Sequence, residues 1–213
     1  MTKSFSLNPS VLEQVAYFTT YKKMTGQISD QLIYKSQIFC IAGVDGVGLF
    51  EPTQHGFSPQ LGSTTACWRG YYCTYQVIKE TLCLKELIIS LSLKEKLMIK
   101  HGRGRARDFI GVFPYLRDTL LDHPSAIYDD LNYLVEFTGS LLVANNFINN
   151  LYVHLGFQAA YKYEEVHELI FESGYLMQSI DRSQEMAEIR QKIIPPFYLY
   201  DQWHLTWKGK NGS

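Results

Sequence analysis

The chain of 213 residues has no window approaching the roughly 20 consecutive apolar residues needed to cross a bilayer, which excludes a membrane-spanning helix. Its first stretch, MTKSFSLNPS, lacks the apolar core of a secretory leader, so a cytoplasmic protein with no membrane partner is expected. Charge of one sign is also missing. Twenty Lys and Arg against 21 Asp and Glu leave a net charge of −1, which creates no global field for nucleic acid or an anionic membrane. Cysteine is scarce, and Cys40, Cys67, Cys73 and Cys83 show none of the two-residue spacing of zinc or redox motifs. They lie in apolar runs and read as reduced, packed thiols, although a sheet that set Cys67 or Cys73 beside Cys83 would permit a disulfide.

Local catalytic signatures are lacking as well. There is no nucleophile elbow, Walker loop, zinc ligand set or pair of carboxylates at a telling spacing. The run GVDGVG at 43–48 holds three glycines, but no Lys and Ser/Thr follow it and no helix comes after it. It reads as a turn or bulge. The expectations are accordingly no metal and no cofactor.

What the chain does have is aromatic surface. Aromatics make up 14% of the residues, led by 15 tyrosines, within a hydrophobic content of 46%. Tyrosine couples an apolar body to a polar tip and suits half-buried strands and interfaces alike. The densest stretch is TACWRGYYCTY at 65–75, which sets Arg69 among Trp68, Tyr71, Tyr72 and Tyr75. A guanidinium among rings can bind a carboxylate, a phosphate or a planar ring, and can equally hold a sheet together.

Two strands are expected here, at 64–78 and 81–91, turning at Lys79 and Glu80. Paired so that residue numbers sum to 159, Cys73 faces Glu86 and Arg69 faces Ser90, which places Arg69 and Glu86 on one face as an ion pair. Both faces are substantially apolar, so these strands belong inside a sandwich, a barrel or a helix-covered sheet.

Elsewhere the pattern gives a helix over about 9–23, a short hairpin QLIY/IFCIAG whose runs are separated by Lys35, Ser36 and Gln37, and an ordered loop at 49–63 carrying His55 at the surface. Leu141, Leu142 and Val143 form a buried strand, and LYVHLGF a further apolar run with His154 as a hydrogen-bonded core residue. YKYEEVHELIFESGYLMQSI reads as a hairpin around Ser173 and Gly174 that projects His167 and Glu165 from one face. Asp181 and Ser183 open a helix that ends before Pro195 and Pro196. Residues 94–130 read as a basic loop insertion holding Arg103, Arg105 and Arg107, with a short helix after Pro114, and offer at most a weak nucleic-acid contact. The fold class is β-rich α+β: one domain over 1–194, an antiparallel sheet or sandwich flanked by an N-terminal and a C-terminal helix, with an aromatic arm at 195–213.

TACWRGYYCTY, FTGSLLVANNF, LYVHLGF and ELIFESG together resemble a group of bacterial, often cyanobacterial, proteins to which no activity is assigned. The resemblance spans about 26–194. It implies a shared compact fold in a bacterial cytosol and carries over no site, and the HGRGRAR run and the aromatic tail lie outside it.

Two functional readings follow. In the first, the protein is a noncatalytic binding or accessory protein whose Trp68, Arg69, Tyr71, Tyr75 and Glu86 meet another chain or a second copy. In the second, Arg69 anchors an anion or nucleotide in an enzyme pocket, with His154, or His167 beside Glu165, as acid or base.

Overall fold

The computed structural model describes residues 26–101, 107–117, 125–154 and 156–192. The helix expected over 9–23 and the arm at 195–213 lie outside them.

Ten strands form one sheet. In chain order they are β1 (Gln31–Tyr34), β2 (Gln37–Val47), β3 (Tyr71–Ile78), β4 (Thr81–Ile89), β5 (Tyr115–Arg117), β6 (Ser125–Tyr128), β7 (Tyr133–Leu134), β8 (Thr138–Phe147), β9 (Tyr163–Glu172) and β10 (Tyr175–Asp181). The sheet order β10-β9-β8-β2-β1-β3-β4 closes on itself through Tyr175 of β10 opposite Thr81 of β4. Seven strands therefore make a closed mixed barrel, where the sequence suggested an open antiparallel sheet or sandwich. Six of its seven neighbouring pairs are antiparallel, and β1 runs parallel to β3. Beyond the barrel, β6 continues from β4 and β5 from β6, while β7 lies against β4.

A barrel of this size has an interior just wide enough for side chains to fill it. Here the filling is aliphatic and aromatic: Leu32, Phe39, Tyr75, Leu82, Leu84, Phe137, Leu141 and Phe171 are each at most 2% exposed and belong to one cluster. A smaller cluster of Ala144, Ala160, Tyr163 and Val166 lies under Met186 of α2, the helix at 183–192. Arg190 of that helix donates to the carbonyls of Tyr161 and Tyr163 at 2.8 and 3.0 Å.

Three hairpins turn on two residues that both have positive φ, the turn whose twist matches that of the strands. They are Lys35–Ser36, Lys79–Glu80 and Ser173–Gly174. Two of them contain no glycine, so the strained conformation is imposed by the pairing on either side. The run at 43–48 is mostly strand, with its irregularity between Ile41 and Gly43. Gly139, at φ +141°, is required on the neighbouring strand because a Cβ there would lie 2.2 Å from the Asp45 carbonyl oxygen.

The β3–β4 pairing follows the sum of 159 from the turn as far as Tyr75 opposite Leu84. There a bulge leaves Lys85 without a partner, and the next pairs are Thr74–Glu86 and Cys73–Leu87. A one-residue slip changes which side chains share a face. Glu86 moves away from Arg69 and meets the Thr74 hydroxyl at 3.3 Å. Strand β3 also begins only at Tyr71, so Arg69 precedes it in a chain of turns.

Residues 94–130 are not simply a solvated loop. Leu93–Lys100 form helix α1, opened by a capping box in which Ser92 and Glu95 exchange hydrogen bonds. The helix expected after Pro114 is strand β5 instead. Ala126, Ile127 and Tyr128 of β6 are each at most 1% exposed.

Candidate interaction site

Two regions near α1 and the start of β3 gather polar and aromatic side chains in opposite ways. The first is centred on Arg69. Asp30, the residue before β1, lies beside β3 because β1 and β3 are parallel with Gln31 opposite Thr74. Its Oδ1 accepts from the Cys73 amide at 2.6 Å and from Nη2 of Arg69. Arg69 Nε donates to the Tyr71 carbonyl at 2.8 Å, and the guanidinium stacks 4.6 Å from the Tyr71 ring centroid. The Tyr71 hydroxyl donates to Glu51 Oε2 at 2.9 Å, and Oε1 of Glu51 caps the short helix Pro52–His55.

Electrostatics show how firmly this network is committed. Burial works against the Arg69 charge, but attraction and hydrogen bonding to Asp30 outweigh it and hold the guanidinium above its ordinary pKa. Burial and the Glu51 carboxylate push the Tyr71 phenol well up. The ion pair sits with Asp30 side-chain exposure at 12% and Arg69 at 32%. An anion reaching Arg69 would have to compete with a carboxylate already in place. Tyr75 is buried in the barrel, whereas Trp68 is 54% exposed on the turn beside Arg69.

All four cysteines are free, and burial is the largest influence raising the pKa of each. Among the described residues no group of three or more His, Cys, Asp or Glu side chains is placed to hold a metal ion.

The three histidines singled out in the sequence fall in three settings. His167 Nε2 lies 3.0 Å from Glu165 Oε1, so the structure does bring these two candidates together, with Asp181 as the cross-strand neighbour of His167. The imidazole also stands edge-on to buried Phe39 at 5.7 Å. His154 is exposed and edge-on to Tyr152 in a loop, where a hydrogen-bonded core residue in an apolar run was expected. His55 is half-buried rather than a surface residue, stacked 4.6 Å from Phe50 and ringed by Phe109 and Tyr133.

Arg107 belongs to that aromatic cluster. It donates to the carbonyls of Gly56 and His55 at 2.6 and 2.5 Å and lies 5.2 Å from the Phe57 ring. Its own carbonyl accepts from the Tyr128 hydroxyl, whose pKa burial pushes up to about 12. Arg107 thus ties a loop to the barrel. Arg103 and Arg105 lie outside the described residues.

The second region is the outer side of α1 with the segment 110–116. Leu93, Leu97, Ile110, Phe113 and Tyr115 are 73, 45, 52, 62 and 45% exposed, and α1 buries none of its residues. Between α1 and β5 runs an open groove of about 510 Å³ lined by Leu93, Leu97, Ile99, Pro114 and Leu116, with Lys96 and Lys100 among its walls. This surface was not expected from the sequence. Its signal was nonetheless there, in the capping pair Ser92 and Glu95 ahead of Leu93 and Leu97 at helical spacing.

Comparison of the chain with protein-family profiles, curated proteins and solved structures returns no match. No helix among the described residues is long and apolar enough to cross a membrane.

Proposed function

We propose that the protein is a noncatalytic binding or accessory protein of the cytoplasm that meets another protein chain, or a second copy, through apolar surface outside its barrel. The observation that carries this reading is the exposure of Leu93, Leu97 and Tyr115 on the walls of one groove, with Ile110 and Phe113 exposed on the segment that leads into β5, beside a barrel whose interior is occupied by its own side chains. Exposed apolar residues are ordinary singly, but a row of large ones along a helix and the strand next to it marks an interaction surface. Trp68, also exposed, and the half-covered Arg69 supply residue types that dominate interface energetics. Four reduced thiols suit a cytoplasmic setting.

The test pairs wild type with Phe113→Asp, a change at an exposed position that should leave thermal stability within a degree or two. Association is measured by light scattering across a concentration series and by capture from the host. A copy or partner held by wild type and lost by the variant supports the reading. A monomer that captures the same proteins as its variant, in equal amounts, overturns it.

A further inference from the structure

The α1–β5 groove has a chemistry that narrows the partner. One wall is a helix, the other is β5, which pairs with β6 on one side and, among the described residues, with nothing on the other. The floor and rims are Leu93, Leu97, Ile99, Pro114 and Leu116. Lys96 and Lys100, four residues apart on one helical face, both line it. The ammonium group of neither makes an ion pair or a hydrogen bond to any described residue, and the one carboxylate on α1, Glu95, is already engaged with Ser92. Lys96 is half-buried, and burial lowers its pKa, so its ammonium sits where an approaching carboxylate is felt strongly. An unpaired strand edge beside an apolar, cation-lined trough is the arrangement that receives an extended peptide: backbone to backbone along the edge, alternate side chains into the trough.

Resting on the interaction reading above, we infer that this groove binds an extended segment of a partner protein that turns apolar and acidic residues together toward the trough, at every second position. Its apolar side chains fill the space between Leu93, Leu97 and Leu116, its carboxylates face Lys96 and Lys100, and its backbone lies along β5. Three residues of β5 supply only one or two backbone hydrogen bonds, so the side chains in the trough carry most of the affinity.

The probe is a fluorescein-labelled decapeptide with leucine and glutamate alternating at every second position and threonine between them, titrated against the full chain by polarisation and followed by backbone NMR. Three controls accompany it: a lysine-for-glutamate version, a proline-interrupted version and a version N-methylated on alternate backbone amides. Saturable binding is expected, with shifts confined to 93–100 and 113–117. The lysine and proline peptides should bind at least tenfold more weakly, and Lys96→Glu with Lys100→Glu should lower affinity about tenfold or more. An N-methylated peptide that binds as well as its parent overturns the strand-addition geometry. Shifts elsewhere, or indifference to the lysine substitutions, overturn the site. If the β5 amides that do not bond to β6 are protected from exchange in the free protein, or the peptide fails while Phe113→Asp still abolishes self-association, the groove is covered by the chain itself or by a second copy. That result sinks the peptide partner and leaves the interaction reading standing; loss of both effects sinks both.

Discussion

Arg69 and Lys96 show how differently two cations can be used in one chain. Arg69 sits among aromatics and spends its donors inside the fold, on the Asp30 carboxylate and the Tyr71 carbonyl, with its flat face on a ring. Lys96 lines an apolar trough and meets no described partner. The lesson is one of satisfaction. A polar group whose partners are all internal holds the structure, and one without a described partner beside exposed leucines stays open to solvent or to a ligand. The residue that stood out in the sequence already has partners inside the fold.

The contrast between a closed interior and an open exterior can be tested by stability measurements, and the largest effect is expected in the barrel. Phe137→Ala removes a fully buried ring packed 6.0 Å from Phe171 and should cost about 3–5 kcal/mol by urea unfolding. A loss under about 1 kcal/mol would mean that the interior is not the close-packed unit described.

Next comes the Asp30–Arg69 tie. Arg69→Ala leaves Asp30 mostly buried with the Cys73 amide as its remaining partner, and a cost of about 1–3 kcal/mol is expected. In a double-mutant cycle with Asp30→Asn the two changes should be strongly non-additive. Additive effects, or an Arg69→Ala variant of unchanged stability, would blur the distinction from Lys96.

A smaller effect is expected where α2 begins. Asp181 accepts from the Ser183 amide at 2.8 Å, and this bond, with the Ser183 hydroxyl, lowers its pKa below 3.8. Because the folded value is depressed, the stabilisation is fully present above about pH 4 and is lost as pH falls through the folded pKa. Asp181→Ala should therefore cost about 0.5–1 kcal/mol at pH 7 and almost nothing near pH 2. A difference that does not shrink with acid would show that the carboxylate is not the source.

The smallest effect is expected at Glu86. Among the described residues its carboxylate bonds only the Thr74 hydroxyl, so Glu86→Gln should change stability by less than about 0.5 kcal/mol. A large loss would revive an ion pair between Glu86 and Arg69.

Much of the local structure was legible. The turns at Lys35–Ser36, Lys79–Glu80 and Ser173–Gly174 were visible as polar breaks between β-rich runs, and the pairing of Glu165 with His167 follows from period-two alternation on β9. The Asp30–Arg69 pair was not legible, because it spans 39 residues and depends on β1 lying parallel to β3. The bulge at Lys85 was hidden too, since one unpaired residue leaves the apolar pattern of β4 nearly unchanged while altering which neighbours share a face. The groove escaped notice because α1 is short and lies in a stretch dominated by basic residues.

The amino-acid sequence by itself determined the strand-rich character, the places where the chain reverses and the lack of a membrane-spanning helix, all set by composition and by near neighbours along the chain. Closure of seven strands into a barrel, the partner of Arg69 and the open trough beside Lys96 were decided only in three dimensions. Each depends on which distant segments come to lie side by side, and that is settled by the joint packing of the whole sheet rather than by any one stretch of it.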